Sequence, residues 1–211
     1  MIRAIFFILL LVHGVCNTLY AVSPDRYVIS SGTYHTCALD DNGVTCWGDN
    51  YYGQTDVPTL SNPTQVSLGR NHTCVLDDNG VICWGNNGTG QTDVPTLSNP
   101  TQVSLGSVHT CALDDNGVTC WGDKYNDNGQ TDVPTLSNPT QISSGGLHAC
   151  ALDDNGVTCW GHNNFGQSSV PTSLSFTYPS THQVPHPLWL YGILLAGLGI
   201  LGVRSISRSR A

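Results

Sequence analysis

Between Thr64 and Trp84 the chain alternates apolar and polar residues in short bursts: Gln65-Val66-Ser67-Leu68, His72-Thr73-Cys74-Val75-Leu76, then Val81-Ile82-Cys83-Trp84. A period of two over four to six residues predicts half-buried strands, and the repeats carry no 3.6-residue helical period. Asp77-Asp78-Asn79-Gly80, between the second and third bursts, is a hairpin turn signal. The pattern predicts strands over Thr64 to Gly69, His72 to Leu76 and Val81 to Trp84, then a fourth strand segment at Gln91 to Pro95. Pro95 has no N–H for a ladder, so that fourth segment is an edge strand or leaves the sheet early.

The same pattern is written four times. His-Thr-Cys-Ala-Leu-Asp-Asp-Asn-Gly-Val-Thr-Cys-Trp-Gly begins at His35 and returns, almost unchanged, at His72, His109 and His148. Cys37, Cys74, Cys111 and Cys150 are separated by 37, 37 and 39 residues, a period that signals a solenoid, a propeller or an array. Gly, Pro, Asn and Asp punctuate every unit, so the class is all-β. With Asp40 to Gly43 as a four-residue loop, Leu39 faces Val44, Ala38 faces Thr45 and Cys37 faces Cys46, within disulfide reach. A tighter turn on Asn42-Gly43 would oppose Leu39 to Cys46; the first register accounts for both cysteines. The expected bridges are Cys37–Cys46, Cys74–Cys83, Cys111–Cys120 and Cys150–Cys159. Structural zinc sites space paired cysteines two to four residues apart, which this chain does not.

His-Thr-Cys-Ala-Leu, Asp-Asn-Gly and Cys-Trp-Gly-Asp-Asn followed by Tyr-Tyr-Gly-Gln resemble the regulator of chromosome condensation repeat, over about residues 27–174. The resemblance implies β-propeller blades, in a family whose rings usually have seven. Four blades of about 37 residues imply an incomplete or unusually small propeller: a four-bladed ring, an open arc, or a ring completed by other chains. The family's name suggests guanine-nucleotide exchange, but an exported, cysteine-paired chain with no long wedge-like insertion does not fit that work. The secreted propeller-type inhibitor of β-lactamase, which these repeats also resemble in length, shows that such blades can serve purely as binding surfaces.

Comparing the copies shows where binding would occur. The hairpin loop and the connector Pro-Thr-Leu-Ser-Asn-Pro scarcely change, whereas two other loops do. One set is Thr33-Tyr34, Arg70-Asn71, Ser107-Val108 and Gly146-Leu147; the other is 49–52, 86–89, 123–128 and 162–165. In an up-and-down meander alternate turns share an edge, so both variable sets are expected on one face. The candidate binding residues are Tyr34, Tyr51, Tyr52, Arg70, Asn71, Asn87, Lys124, Tyr125 and Phe165, aromatic anchors among adaptable polar groups. The recurring histidines are expected to be structural, bonded to backbone, with His162 outside the scaffold. The Asp-Asp pairs are read as turn chemistry, and the four repeated tryptophans as packing between blades. No metal or cofactor is expected, and no nucleophile–base–acid set stands out, so the chain is not expected to be an enzyme. Asn71-His72-Thr73 and Asn87-Gly88-Thr89 fit the glycosylation sequon.

Charge then narrows the partners. Between Ala21 and the C-terminal tail stand fifteen aspartates, no glutamate and three fixed positive residues (Arg26, Arg70, Lys124), a balance of minus 12. Such a surface repels nucleic acid and favours basic proteins, cations or neutral glycans. The expected partner is a protein or glycan, or a second copy that completes the ring. Residues 1–21, basic at Arg3 and then apolar, read as a signal helix; Cys16 could be a lipidation site, but Val15 stands where a small residue is needed. Residues 175–187 form a Ser/Thr/Pro linker, 188–203 a transmembrane helix and 204–211 a basic cytoplasmic tail. The sixteen apolar residues of that helix span about 24 Å, workable in a thinned bilayer. Val184 to Pro187, the apolar helix and the arginines resemble an exosortase-type (PEP-CTERM) sorting tail, with His186 where that motif has Glu. The repeats are therefore expected outside the cytoplasm, surface-attached or released after processing.

Overall fold

Asp40-Asp41-Asn42-Gly43 folds as a hairpin loop because Asp40 supplies the bond a turn needs: its Oδ1 accepts the Asn42 N–H at 2.7 Å. Gly43 then takes the left-handed step (φ 109°), where a side chain would be strained. The loop aligns β2 (His35–Asp40) with β3 (Gly43–Gly48), pairing Leu39 with Val44, Ala38 with Thr45 and Cys37 with Cys46. This is the first of the two registers considered. β1 (Val28–Ser31) pairs antiparallel to β2 on the other side.

The computed structural model describes residues 27–123, 125 and 128–174, and the unit recurs through them. β4 (Gln65–Leu68), β5 (His72–Asp77) and β6 (Gly80–Gly85) form the second sheet. β7 (Gln102–Leu105), β8 (His109–Asp114) and β9 (Gly117–Gly122) form the third; β10 (Gln141–Ser144), β11 (His148–Asp153) and β12 (Gly156–Gly161) form the fourth. The four disulfides are those expected, with Cα atoms 4.0 to 4.1 Å apart. The signal, linker, transmembrane and tail segments and Lys124 lie outside the described residues.

Each sheet has three strands, not four. Gln91 to Pro95 leaves the sheet at once, the second of the two outcomes expected of it: Asp93 N–H bonds Gly90 C=O and Val94 N–H bonds Thr92 C=O, so these donors are used in local turns. Blades pack in chain order, β1 against β4, β4 against β7 and β7 against β10. Every junction sets the His-Cys-Leu face of one blade on the face of the next that carries its inner-strand Val or Ile and its Trp. Cys37 and Leu39 pack with Val66, Leu68 and Val75; Cys111 and Leu113 pack with Ile142, Ala149, Ala151 and Trp160. Each such buried aliphatic side chain contributes about 1.5–3 kcal/mol.

Polar groups lock the junctions. Thr73 donates its hydroxyl proton to the Gln54 carbonyl at 2.9 Å, so its oxygen accepts from His35 Nε2 at 2.8 Å. Thr110 does the same between Gln91 C=O and His72. The histidines are structural: His35 and His72 bond a threonine of the next blade, and His72 also has a backbone interaction with His109. At the third junction Ala149 replaces that threonine, and His109 Nε2 has no partner among the described residues. Burial, reinforced by the neighbouring histidines, holds His72 down to about 3; burial and His148 hold His109 at about 4. A second clamp runs along the inner strands. The Gln65 amide bonds both Val103 N–H and C=O, and Gln102 does likewise to Ile142. Here backbones approach so closely that a Cβ on Gly69 would lie 2.3 Å from the His72 ring and 2.5 Å from Gly106 O.

Candidate binding surface

The connector after each blade returns along the hairpin edge of the next. Ser61 N–H donates to Asp77 Oδ2, Asp78 N–H to Ser61 C=O, and Asn62 Nδ2 to Asp78 Oδ2. Ser98-Asn99 and Ser137-Asn138 repeat this on Asp114-Asp115 and Asp153-Asp154. The bond from Ser137 N–H is the main cause holding the Asp153 carboxyl below its ordinary range. The aspartate pairs therefore act as turn-formers and as strap anchors. Clefts of about 320, 500 and 570 Å³ lie here between hairpin loop and connector, lined by the unchanging residues.

The variable loops meet at the other edge. Asp49, Asn86, Asp123 and His162 each donate their N–H to the carbonyls of Tyr34, Asn71, Val108 and Leu147, at 2.8 to 2.9 Å. This ties the outer variable loop of each repeat to its inner one, so both sets share one edge, as the meander predicts. The inner loops converge on a groove of about 290 Å³ lined by Thr33, Arg70, Ser107 and Gly146 with their glycine and serine neighbours. Arg70 stands over the Tyr34 ring at 5.8 Å, a cation–π contact. Tyr34, Tyr51, Tyr52, Tyr125 and Phe165 are all exposed, as are Arg70 and Asn87, while Asn71 is half-buried. Tyr51 and Tyr52 pack edge to face, with centroids 4.8 Å apart. Asn87 braces its own loop, donating to Asp93 and accepting the Thr92 N–H; Asn50 and Asn163 occupy the same role.

Within the outer loops one position only looks variable. Asp49, Asn86, Asp123 and His162 all accept from the amide of Gln54, Gln91, Gln130 and Gln167 respectively. His162 thus joins the scaffold, contrary to expectation, because its Nδ1 is one more acceptor for this glutamine. Sequence reading missed these glutamines, although Gly-Gln recurs in every repeat. Trp84 and Trp160 donate their indole N–H to the carbonyls of Gln54 and Gln130 in the preceding repeat. Trp47 departs from the expected packing between blades and is exposed, because no described blade precedes it.

The regulator of chromosome condensation (RCC1) repeat matches residues 28–54, 64–91, 101–130 and 140–167. The chain belongs to this repeat family. These RCC1 repeats are similar to the ectodomain of the Physcomitrella patens receptor kinase CR4 at 29% identity and a TM-score of 0.59, covering 71% of this chain and 45% of that one. They are also similar to the ectodomain of the Arabidopsis thaliana receptor kinase ACR4 (26%, TM-score 0.54, 63% and 49% covered). A third likeness is to Prp20p of Saccharomyces cerevisiae, described with its binding to Gsp1p and histones (25%, TM-score 0.57, 70% and 47% covered). This RCC1-repeat chain spans about half the length of those structures. Among curated proteins there is no match.

Proposed function

We propose that the chain is an extracytoplasmic, non-enzymatic interaction module, attached to a membrane through residues 188–203 or released after processing at the sorting-like tail. It holds a protein or glycan partner on the variable edge. One observation carries this reading: the copies differ most in the two loop sets that share the edge of the groove, while the opposite edge is strapped down by repeated bonds. Exposed aromatic rings there supply contact area at low entropic cost. Four disulfides and the likeness to two receptor ectodomains support a location outside the cytoplasm. The balance of minus 12 favours basic protein surfaces or uncharged glycans over nucleic acid. The test is binding of the labelled chain to an array of neutral glycans and basic peptides. Changing Tyr51, Tyr52, Tyr125 and Phe165 together to alanine is expected to lower captured signal at least tenfold without unfolding the protein. Capture that is unchanged by the four substitutions would sink the reading.

A further inference from the structure

The two ends of the described blade series expose faces whose counterparts are buried at the internal junctions. On blade 1, Ile29 is 71% exposed, whereas its counterparts Val66, Val103 and Ile142 are 3%, 1% and 3% exposed; Trp47 is 50% exposed, whereas Trp121 and Trp160 are 9% and 8%. On blade 4, His148, Cys150 and Leu152 are half-buried, although Cys37, Cys74 and Cys111 are fully buried. Gln141 is exposed, while Gln65 and Gln102 at the same position clamp the next blade.

We propose that a second copy of this chain docks head to tail, the Ile29 face of one blade 1 on the Leu152 face of the other's blade 4. The occupant follows from continuity with the junctions already formed inside the chain. Leu39 packs with Val66 and Leu113 with Ile142; Leu152 meets Ile29 in the same way. The Gln141 amide takes the Ile29 backbone N–H and C=O. Thr36 and Trp47 donate to the Gln167 carbonyl, as Thr73 and Trp84 donate to that of Gln54. His148 donates to Thr36, as His35 does to Thr73. Moreover β1 reads Val-Ile-Ser-Ser and β10 reads Gln-Ile-Ser-Ser, so blade 1 offers nearly the inner strand that blade 3 already receives from blade 4. There Ser104 bonds Ser144, and Ser143 stands ready for Ser31 in the corresponding place.

The contact is heterologous, so two copies joined at both ends close into a pair with eight blades. The test is the native mass of the oxidised full chain in detergent, by light scattering with the detergent contribution removed. Wild type is expected at twice the chain mass. Ile29→Arg and Leu152→Arg are each expected at the mass of one chain, with four disulfides and β-type circular dichroism retained. Mixing these two variants restores the two-chain mass, because one retains an intact tail face and the other an intact head face. Gln141→Ala, which alters only an exposed side chain, is expected to weaken association about tenfold. Higher multiples that fall to one chain in Ile29→Arg also support the contact, as an open row. A one-chain wild type, an assembly indifferent to Ile29→Arg, or no recovery on mixing overturns it.

Discussion

Thr73 and Thr110 each join three groups: a histidine of the preceding blade, that blade's glutamine carbonyl and their own strand. Since the hydroxyl proton is committed to the carbonyl, the histidine donates through Nε2, and it is burial that keeps His72 neutral. The third junction has Ala149 at this place, which leaves His109 Nε2 buried and unpaired. Ala149→Thr is therefore expected to stabilise the fold by about 1 kcal/mol, read as a raised urea midpoint at unchanged slope. The same burial sets a pH dependence. Folded His72 and His109 titrate near 3 and 4 against 6.5 when unfolded, so the unfolded chain binds more protons between those values. Stability is then full above about pH 6.5 and falls as pH drops toward 4, by about 1.4 kcal/mol per pH unit for each histidine. Urea titrations at pH 7, 5.5 and 4.5 check the slope, and a flat profile would contradict neutral buried histidines.

At the scale of the element, each blade is a stapled hairpin with one added inner strand. The disulfide closes a ten-residue loop, for which chain entropy gives roughly 2–3 kcal/mol. Replacing Cys74 and Cys83 by serine together is expected to lower unfolding free energy by about that much and to leave the other three bridges intact by mass spectrometry. The hairpins were legible in the sequence because their causes are local: Asp-Asp-Asn-Gly sets the turn, and the turn sets the cysteine register. The absent fourth strand was only half legible. Pro95 marked its weakness, but the local turns that consume its donors leave no alternation to read. The junction bonds were hidden for a different reason. They join residues 19 to 40 apart, such as Thr73 with Gln54 and Gln102 with Ile142, and no local period announces them. The recurring glutamines of Gly-Gln were the available signal, with an acceptor always five or seven residues before them.

For the repeats as a whole, chemistry is divided between two edges. Aspartate pairs and connectors hold one edge, and the variable loops, with the groove between the inner ones and exposed rings on both sets, occupy the other. The sequence disclosed this division because the four copies can be compared with one another, while the identity of the partner is written in no repeated feature. The division makes scaffold and surface separable. The most direct test replaces the variable loops of repeats one, three and four with those of repeat two, Arg70-Asn71 and Asn86-Asn87-Gly88-Thr89. That set keeps the acceptor for the buried glutamine and the asparagine brace. The account predicts an oxidised chain that folds with a thermal midpoint within a few degrees of wild type and has lost capture on the glycan and basic-peptide array. Capture undiminished by identical loops would contradict it.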